Sequence, residues 1–269
     1  MFRISIVILA LLTLTGCFYQ TVYKNSDKLV LNRLEEYVDL NKAQRAWVLD
    51  EVQKVQSWHQ TRYFPTYLQW HSQLQTDWQN AGRSEIYSLS KEVRRHWFGL
   101  LQDLEPVIVE FLLSLDSVQR VQFIESIKEK MAEQLSTKER EERTKERFEK
   151  SLGRLSGKQL KIIKKHSESM SYYRQIRNLK NQKRLSEIET ILLKNKPSDD
   201  DVKRLGALIV NNPNSRKEYH LKQREKRVLS QIDFLITLRD TLTAKQKQEF
   251  EEQLIEIGDI LRVIQSTEL

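Results

Sequence analysis

After residue 26 the apolar positions return every three or four residues through almost the whole chain, which is the pattern of amphipathic helices and not of alternating strands. A first helix is predicted over 27–37, with Leu29, Val30, Leu34 and Tyr37 on neighbouring turns. A second follows Asn41 through Trp47, Val48, Val52, Val55, Trp58 and His59 to Pro65, where a proline should stop or kink it. Beyond Pro65 the spacing resumes with Tyr67, Leu68, Trp70, Leu74 and Trp78 and ends at Asn80-Ala81-Gly82. Residues 84–113 carry one broad apolar face from Ile86 to Leu112, with Pro106 expected to bend or divide the helix. From 117 to about 151 the pattern starts apolar at Val121, Phe123, Ile124 and Ile127. It then passes into Lys138-Glu139-Arg140-Glu141-Glu142-Arg143, read as a solvated helical arm. Helices near 215–240 and 243–264 close the body as a hairpin. The expectation is an all-α, elongated body of seven or eight antiparallel helices.

The helix starts share a frame. Leu40-Asn41-Lys42-Ala43-Gln44, Leu115-Asp116-Ser117-Val118-Gln119, Leu155-Ser156-Gly157-Lys158-Gln159 and Leu242-Thr243-Ala244-Lys245-Gln246 each place a capping residue after a leucine and a glutamine three residues later. That is a capping box, in which each side chain satisfies a backbone donor of the other residue. Leu135-Ser136-Thr137-Lys138-Glu139 is a looser copy. An apolar staple is complete only at Leu155 with Leu160, since Arg45, Arg120 and Lys247 occupy the matching positions elsewhere. The copies are too irregularly spaced for a solenoid and read as the turns of a helical body.

The first residues follow a different pattern. Met1-Phe2-Arg3 precedes an apolar run from Ile4 to Leu14, which is too short for an ordinary membrane span and has the form of a secretory leader. It ends in Leu14-Thr15-Gly16-Cys17, which holds the chain's one cysteine and resembles the bacterial lipobox. That resemblance implies cleavage before Cys17 and acylation of Cys17. Phe18 in place of an aspartate implies the periplasmic face of the outer membrane, with the inner membrane second. The expected organisation is a signal peptide over 1–16, an acylated tether over 17–26 and a helical body over 27–269. Residues 152–156 are where the body would divide, into 27–153 and 154–269. With 7 Gly and 4 Pro in 269 residues the chain favours long helices, and one cysteine leaves no pair for an internal disulfide.

Two further resemblances rest on quoted residues. Tyr23-x-Asn25, Leu29, Leu34, Tyr37-Val38-Asp39-Leu40-Asn41-x-x-Gln44-Arg45, Trp58-His59 and Phe64-Pro65-x-Tyr67 resemble a family of uncharacterised proteobacterial lipoproteins with YVDLTxxQR and WH...LPxY segments. Asn41 stands for the usual Thr and Phe64 for the usual Leu. The family has no established activity, so kinship brings no mechanism. The repeated capping frame also resembles the LTxxQ elements of the Spy and CpxP periplasmic stress proteins, which implies a helical cradle for unfolded chains or a sensor partner.

Charge is concentrated in one place. Residues 138–184 hold 16 Lys/Arg against 6 Asp/Glu, while 18–137 hold 14 against 16 and 185–269 hold 14 against 15. Between Arg154 and Arg184 ten basic residues meet only Glu168. Lys161, Lys164, Lys165, Arg174 and Arg177 are therefore the candidate contact for an anionic surface: acidic lipid, lipopolysaccharide or an acidic envelope protein, with no nucleic acid expected in the compartment that the lipobox implies. An ordinary solvated basic face is the plainer reading of the same residues.

Four of the five tryptophans fall between residues 47 and 78. Trp58, His59, Pro65, Tyr67 and Trp70 form the candidate aromatic groove, and core packing is the plainer reading of that stripe. His59, His71, His96, His166 and His220 show no metal-binding spacing. There is no nucleophile elbow or phosphate loop, and Asp199-Asp200-Asp201 lacks the remainder of a calcium loop. No cofactor, no metal and no catalytic residue is expected. The sequence thus points to a non-enzymatic binding or chaperone-like envelope lipoprotein, with an envelope-maintenance scaffold and an envelope enzyme as the alternatives.

Overall fold

A computed structural model of the protein describes residues 21–133, 135–210 and 218–267. Leu14-Thr15-Gly16-Cys17, Phe18, Tyr19 and the Asn211-Asn212-Pro213-Asn214-Ser215 segment lie outside the described residues. The described chain is all-α, helix and turn without a strand. Among the described residues, after a helical turn at 21–24, ten helices follow: α1 Ser26–Glu35, α2 Lys42–Asp77, α3 Arg83–Ser114, α4 Ser117–Ala132, α5 Thr137–Leu152, α6 Gly157–Ser169, α7 Ser171–Leu192, α8 Asp199–Val210, α9 Glu218–Arg239 and α10 Ala244–Gln265. No helix among the described residues is long and apolar enough to cross a membrane.

Several boundaries differ from the sequence expectation. The helix predicted to stop or kink at Pro65 is one element, α2, of 36 residues and roughly 54 Å. Pro106 likewise lies inside an unbroken α3. Each proline removes one backbone donor, which frees the carbonyl of Thr61 or Gln102. Pro65, Thr61, Pro106 and Gln102 are all exposed, so water can reach those carbonyls while the buried faces hold the helices together. Residues 117–151 divide into α4 and α5, because Glu133 leaves helical geometry and Ser136 with Glu139 builds a new capping box. The charged stretch is also no free arm: Phe148 and Leu152 pack α5 against Leu155, Ile163, Phe234 and Phe250.

The long antiparallel pair α2 and α3 organises the rest. At its open end Val48, Val109, Phe111, Leu112 and Leu115 join Val38, Leu40, Ile124, Leu192 and Leu205 in the main core, with Trp47 stacked on Phe111. At the end where α2 turns into α3, Trp78 meets the Phe250 ring at 4.8 Å, and Arg239 donates to the carbonyls of Trp78 and Ala81. There α5, α6, α9 and α10 build a second core. Along α2, α10 runs antiparallel: Gln79 bonds Glu251, and His71 Nε2–H donates to Leu254 O at 2.6 Å. Gln60 donates to the carbonyls of Gln265 and Thr267, closing the end of α10. Arg83 with Asp233 and Tyr87 with Glu225 fix α9 antiparallel to α3. Helices from either side of 152–156 therefore pack on one another.

The repeated capping frame does more than start helices. Gln44 accepts from Asn41 N–H and donates to Ser114 O and to Gln119 Oε1 at 2.9 Å. Gln119 accepts from Asp116 N–H and donates to Asp39 O and back to Gln44 Oε1 at 2.8 Å. The second pair repeats this arrangement: Gln159 reaches Thr241 O and Gln246 Oε1, and Gln246 reaches Arg154 O and Gln159 Oε1. In all four cases the amide finds the carbonyl two residues ahead of the partner's cap. Each pair is a local two-fold clasp between two helix starts. Ser136–Glu139 keeps its box but makes no clasp, because a carboxylate has no N–H to give across. Where the staple position is arginine, its Nε–H instead bonds the carbonyl of the leucine before the cap, Arg45 to Leu40, Arg120 to Leu115 and Arg140 to Leu135.

Gln159 is 1 % exposed and Gln246 6 %, so removing either amide strands buried partners. Gln159→Ala and Gln246→Ala are each expected to lower the unfolding free energy by about 2 kcal/mol. The double variant should lose less than the sum, since the second truncation removes an amide already left unpaired. Urea unfolding of the four proteins measures the coupling, and strict additivity would show that the amides act independently.

Candidate functional site

One face of α2 carries His59, Tyr63, Tyr67 and Trp70 at successive turns, so the helical repeat stacks their rings along it. His59 and Tyr63 stack at 5.5 Å, Tyr67 and Trp70 lie at 5.9 Å, and Trp58 tilts onto Tyr63 at 5.7 Å. The structure thus brings Trp58, His59, Tyr67 and Trp70 into one cluster. Pro65 is apart from them: two residues, or roughly 200° of helix rotation, separate it from Tyr63 and from Tyr67, and it is exposed.

Residues outside the candidate groove complete the cluster. His96 comes from α3 and sets its ring edge-on against Tyr63, Tyr67 and Trp70 at 4.7, 5.3 and 4.8 Å. Tyr23, just before α1, packs edge-on against Phe64 at 5.5 Å. Its hydroxyl donates to Gln56 O at 3.2 Å, and the Gln56 amide donates back to Tyr23 O. Tyr63 donates to Asp103 at 2.5 Å, and Arg62 pairs with the same carboxylate at 2.8 Å. Ile260 and Ile264 of α10 close the cluster beside Phe64 and Tyr67. The sequence expectation singled out His59 and Tyr67 but put a break at Pro65 between them and did not name Tyr63; the unbroken α2 supplies the i, i+4 rhythm of the three. Only tertiary packing brings in His96 and Tyr23.

Burial favours the neutral form of both imidazoles. His59 Nε2 lies 3.1 Å from Tyr67 Oη and Nδ1 3.5 Å from Tyr23 Oη. With the Tyr23 proton on Gln56 O, the network is satisfied when Nδ1–H donates to Tyr23 and Nε2 accepts from Tyr67. Burial, then the neighbouring His96, lowers the His59 pKa to about 4. Burial lowers that of His96 as well, against a weaker opposing pull from Glu92. His96 Nε2 is buried without a hydrogen-bond partner among the described residues. The Tyr67 hydroxyl is pushed up to about 12 by burial, and burial followed by the Asp103 bond raises Tyr63.

The other histidines lie elsewhere. His71 faces α10, where a Cβ on Gly258 would fall on its Cε1. His166 stacks on Phe234 at 3.9 Å, and the side chain of His220 lies outside the described residues. Among the described residues no three His, Cys, Asp or Glu groups gather as metal ligands.

The basic candidates separate into two sets. Lys161, Lys164 and Lys165 are exposed on α6. Arg174 and Arg177 on α7 are half-buried, Arg174 donating to Ser167 O at 2.6 Å. Burial, followed by the neighbouring Arg227, Arg140 and Arg174, lowers the Arg177 pKa. The five do not form one surface.

These features define an all-helical protein closed by paired amide clasps, with a partly buried aromatic and histidine cluster between them. The profile of a family of unknown function, DUF6279, matches residues 36–220, more than half of the chain, and the protein belongs to that family. No curated protein and no solved structure matches it.

Because the folded His59 pKa lies below its unfolded value near 6.5, the unfolded state takes up the proton first as pH falls. The contribution of neutral His59 is complete above about pH 6.5 and is lost progressively down to about pH 4. Urea midpoints measured across that window should fall more steeply for the wild type than for His59→Gln. Parallel curves would show that His59 does not titrate as a buried neutral group.

Proposed function

We propose that the protein is a non-enzymatic binding or chaperone-like protein of the bacterial envelope, tethered by lipid on Cys17 to the periplasmic face of the outer membrane. In this reading it takes an acidic envelope component on the lysine face of α6. The resemblance of Leu14-Thr15-Gly16-Cys17 to a lipobox supports the tether. The likeness of the capping frames to Spy and CpxP proteins supports a helical binding body. The observation that carries the binding face is on α6: Lys158, Lys161, Lys164 and Lys165 are exposed, and among the described residues no carboxylate lies within ion-pair distance of any of them. Gln159, Ile163 and Ser167 occupy the opposite, buried face. The lysines therefore add little to the fold and remain available to a partner.

The test uses the chain from residue 18, which keeps every described residue and lacks the acylation site. At low salt it is expected to bind at least one of phosphatidylglycerol vesicles, lipopolysaccharide micelles and polyglutamate, and to release it as salt rises. Lys161→Gln/Lys164→Gln/Lys165→Gln should weaken that binding about a hundredfold, at roughly 1 kcal/mol per lysine, with helix content and melting temperature unchanged. Equal binding by the two proteins, or none by the wild type, overturns the reading in favour of a scaffold.

A further inference from the structure

The exposed stripe of α6 does not stop at the end of that helix. Met170 separates α6 from α7, yet its backbone stays near helical values, its N–H reaches His166 O at 3.0 Å, and its carbonyl accepts from Arg174 at 3.1 Å. The helical bonds of α6 thus run up to Met170 and those of α7 start from it, so a single residue separates the two helices. Exposed residues recur at 158, 161, 165, 168, 172, 175, 179 and 183, steps of three or four that keep to one side of a helical rod. Buried residues recur opposite them at Gln159, Ile163, Ser167 and Met170. Measured along the two helices, the stripe from Lys158 to Lys183 covers roughly 38 Å.

The residues on this stripe change in kind along its length. Its first turns carry lysines, and Glu168 is its one carboxylate between residues 154 and 184. Its later turns carry Tyr172, 52 % exposed, and Leu179, 66 % exposed. Among large apolar residues in the described chain only Val118, at 75 %, is more exposed than Leu179. A basic rod that also holds a phenol and a leucine out to solvent has the composition of an interfacial helix, whose charges meet headgroups while its apolar side chains enter the acyl boundary.

We infer that the face formed by Lys158, Lys161, Lys165, Tyr172, Leu179 and Lys183 is a peripheral docking surface for a phospholipid leaflet with anionic headgroups. The inference rests on the binding reading above and specifies its partner. Charge complementarity selects an anionic occupant, and the two apolar residues select a leaflet over a dissolved polyanion. Lysines alone would serve either partner, but only a leaflet offers a medium in which Tyr172 and Leu179 lose water. The contact is separate from the lipid on Cys17, so the protein would have two attachments of different kind, and two weak attachments together hold a surface far better than one.

The chain from residue 18 lacks Cys17, the only cysteine, so Leu179→Cys supplies a single thiol for an environment-sensitive fluorophore. The probes are vesicles of phosphatidylglycerol and phosphatidylcholine in a 3:7 ratio, neutral phosphatidylcholine vesicles, lipopolysaccharide micelles and polyglutamate. A blue shift of the label is expected on the anionic vesicles and not on polyglutamate. Tyr172→Ser/Leu179→Ser should weaken binding to those vesicles by about tenfold or more while leaving the polyglutamate interaction unchanged. Loss of vesicle binding in the lysine variant, with no label shift and no effect of the serine variant, overturns the leaflet inference alone and leaves an acidic partner in solution. Tighter binding to lipopolysaccharide than to the anionic vesicles also overturns it. Insensitivity to the lysine variant overturns both readings.

Discussion

The amide group of glutamine is the device on which this fold depends. At each of four helix starts a glutamine must accept a bond from its own cap residue's N–H and donate to a carbonyl on another helix, and only a side chain with both functions can do so. The reciprocal bonds join helix starts far apart in sequence, Gln44 to Gln119 and Gln159 to Gln246. Their worth comes less from the strength of one bond than from the cost of leaving a buried partner unsatisfied. Each clasp sits beside a core: Leu40 and Leu115 belong to the first, Leu155 and Leu242 to the second. Thus the polar contacts fix which helices meet, and the leucines beside them supply the burial.

Between the two clasps, the middle of α2 gathers both ends of the described chain. Tyr23 is held there by Gln56, and Thr267 by Gln60, four residues and about one turn further on. The histidine and aromatic cluster lies alongside, and its rings fill the space between α2, α3 and the last turns of α10. A neutral imidazole suits that position because it can donate and accept, as His59 does between Tyr23 and Tyr67, without a charge to solvate. This arrangement makes the cluster a junction as much as a collection of side chains that could bind a ligand.

The proposed function places binding on the opposite kind of residue. Lys161, Lys164 and Lys165 are exposed, whereas Arg174 and Arg177, a few residues away on the same rod, are drawn partly into the body among other arginines. A run of basic residues in a helical sequence therefore holds two populations: lysines whose flexible stems leave the ammonium in water, and arginines whose planar groups reach backbone carbonyls such as that of Ser167.

Helical class, the capping boxes and most helix ends were legible in the sequence, because they depend on residues within a turn or two of one another. Asn41 with Gln44 and Thr243 with Gln246 are local by nature. The aromatic stripe around His59 and the excess charge of 138–184 were legible for the same reason. What Pro65 and Pro106 would do was not, since a proline's effect depends on whether the carbonyl it frees faces water and on whether packing spans the gap. The pairing of glutamines, the arrival of His96 against Tyr63 and Trp70, and the division of the basic run into outer lysines and inner arginines each require two elements distant in sequence to meet. The period of a helix specifies which side chains share a face, and tertiary packing alone decides what that face is set against.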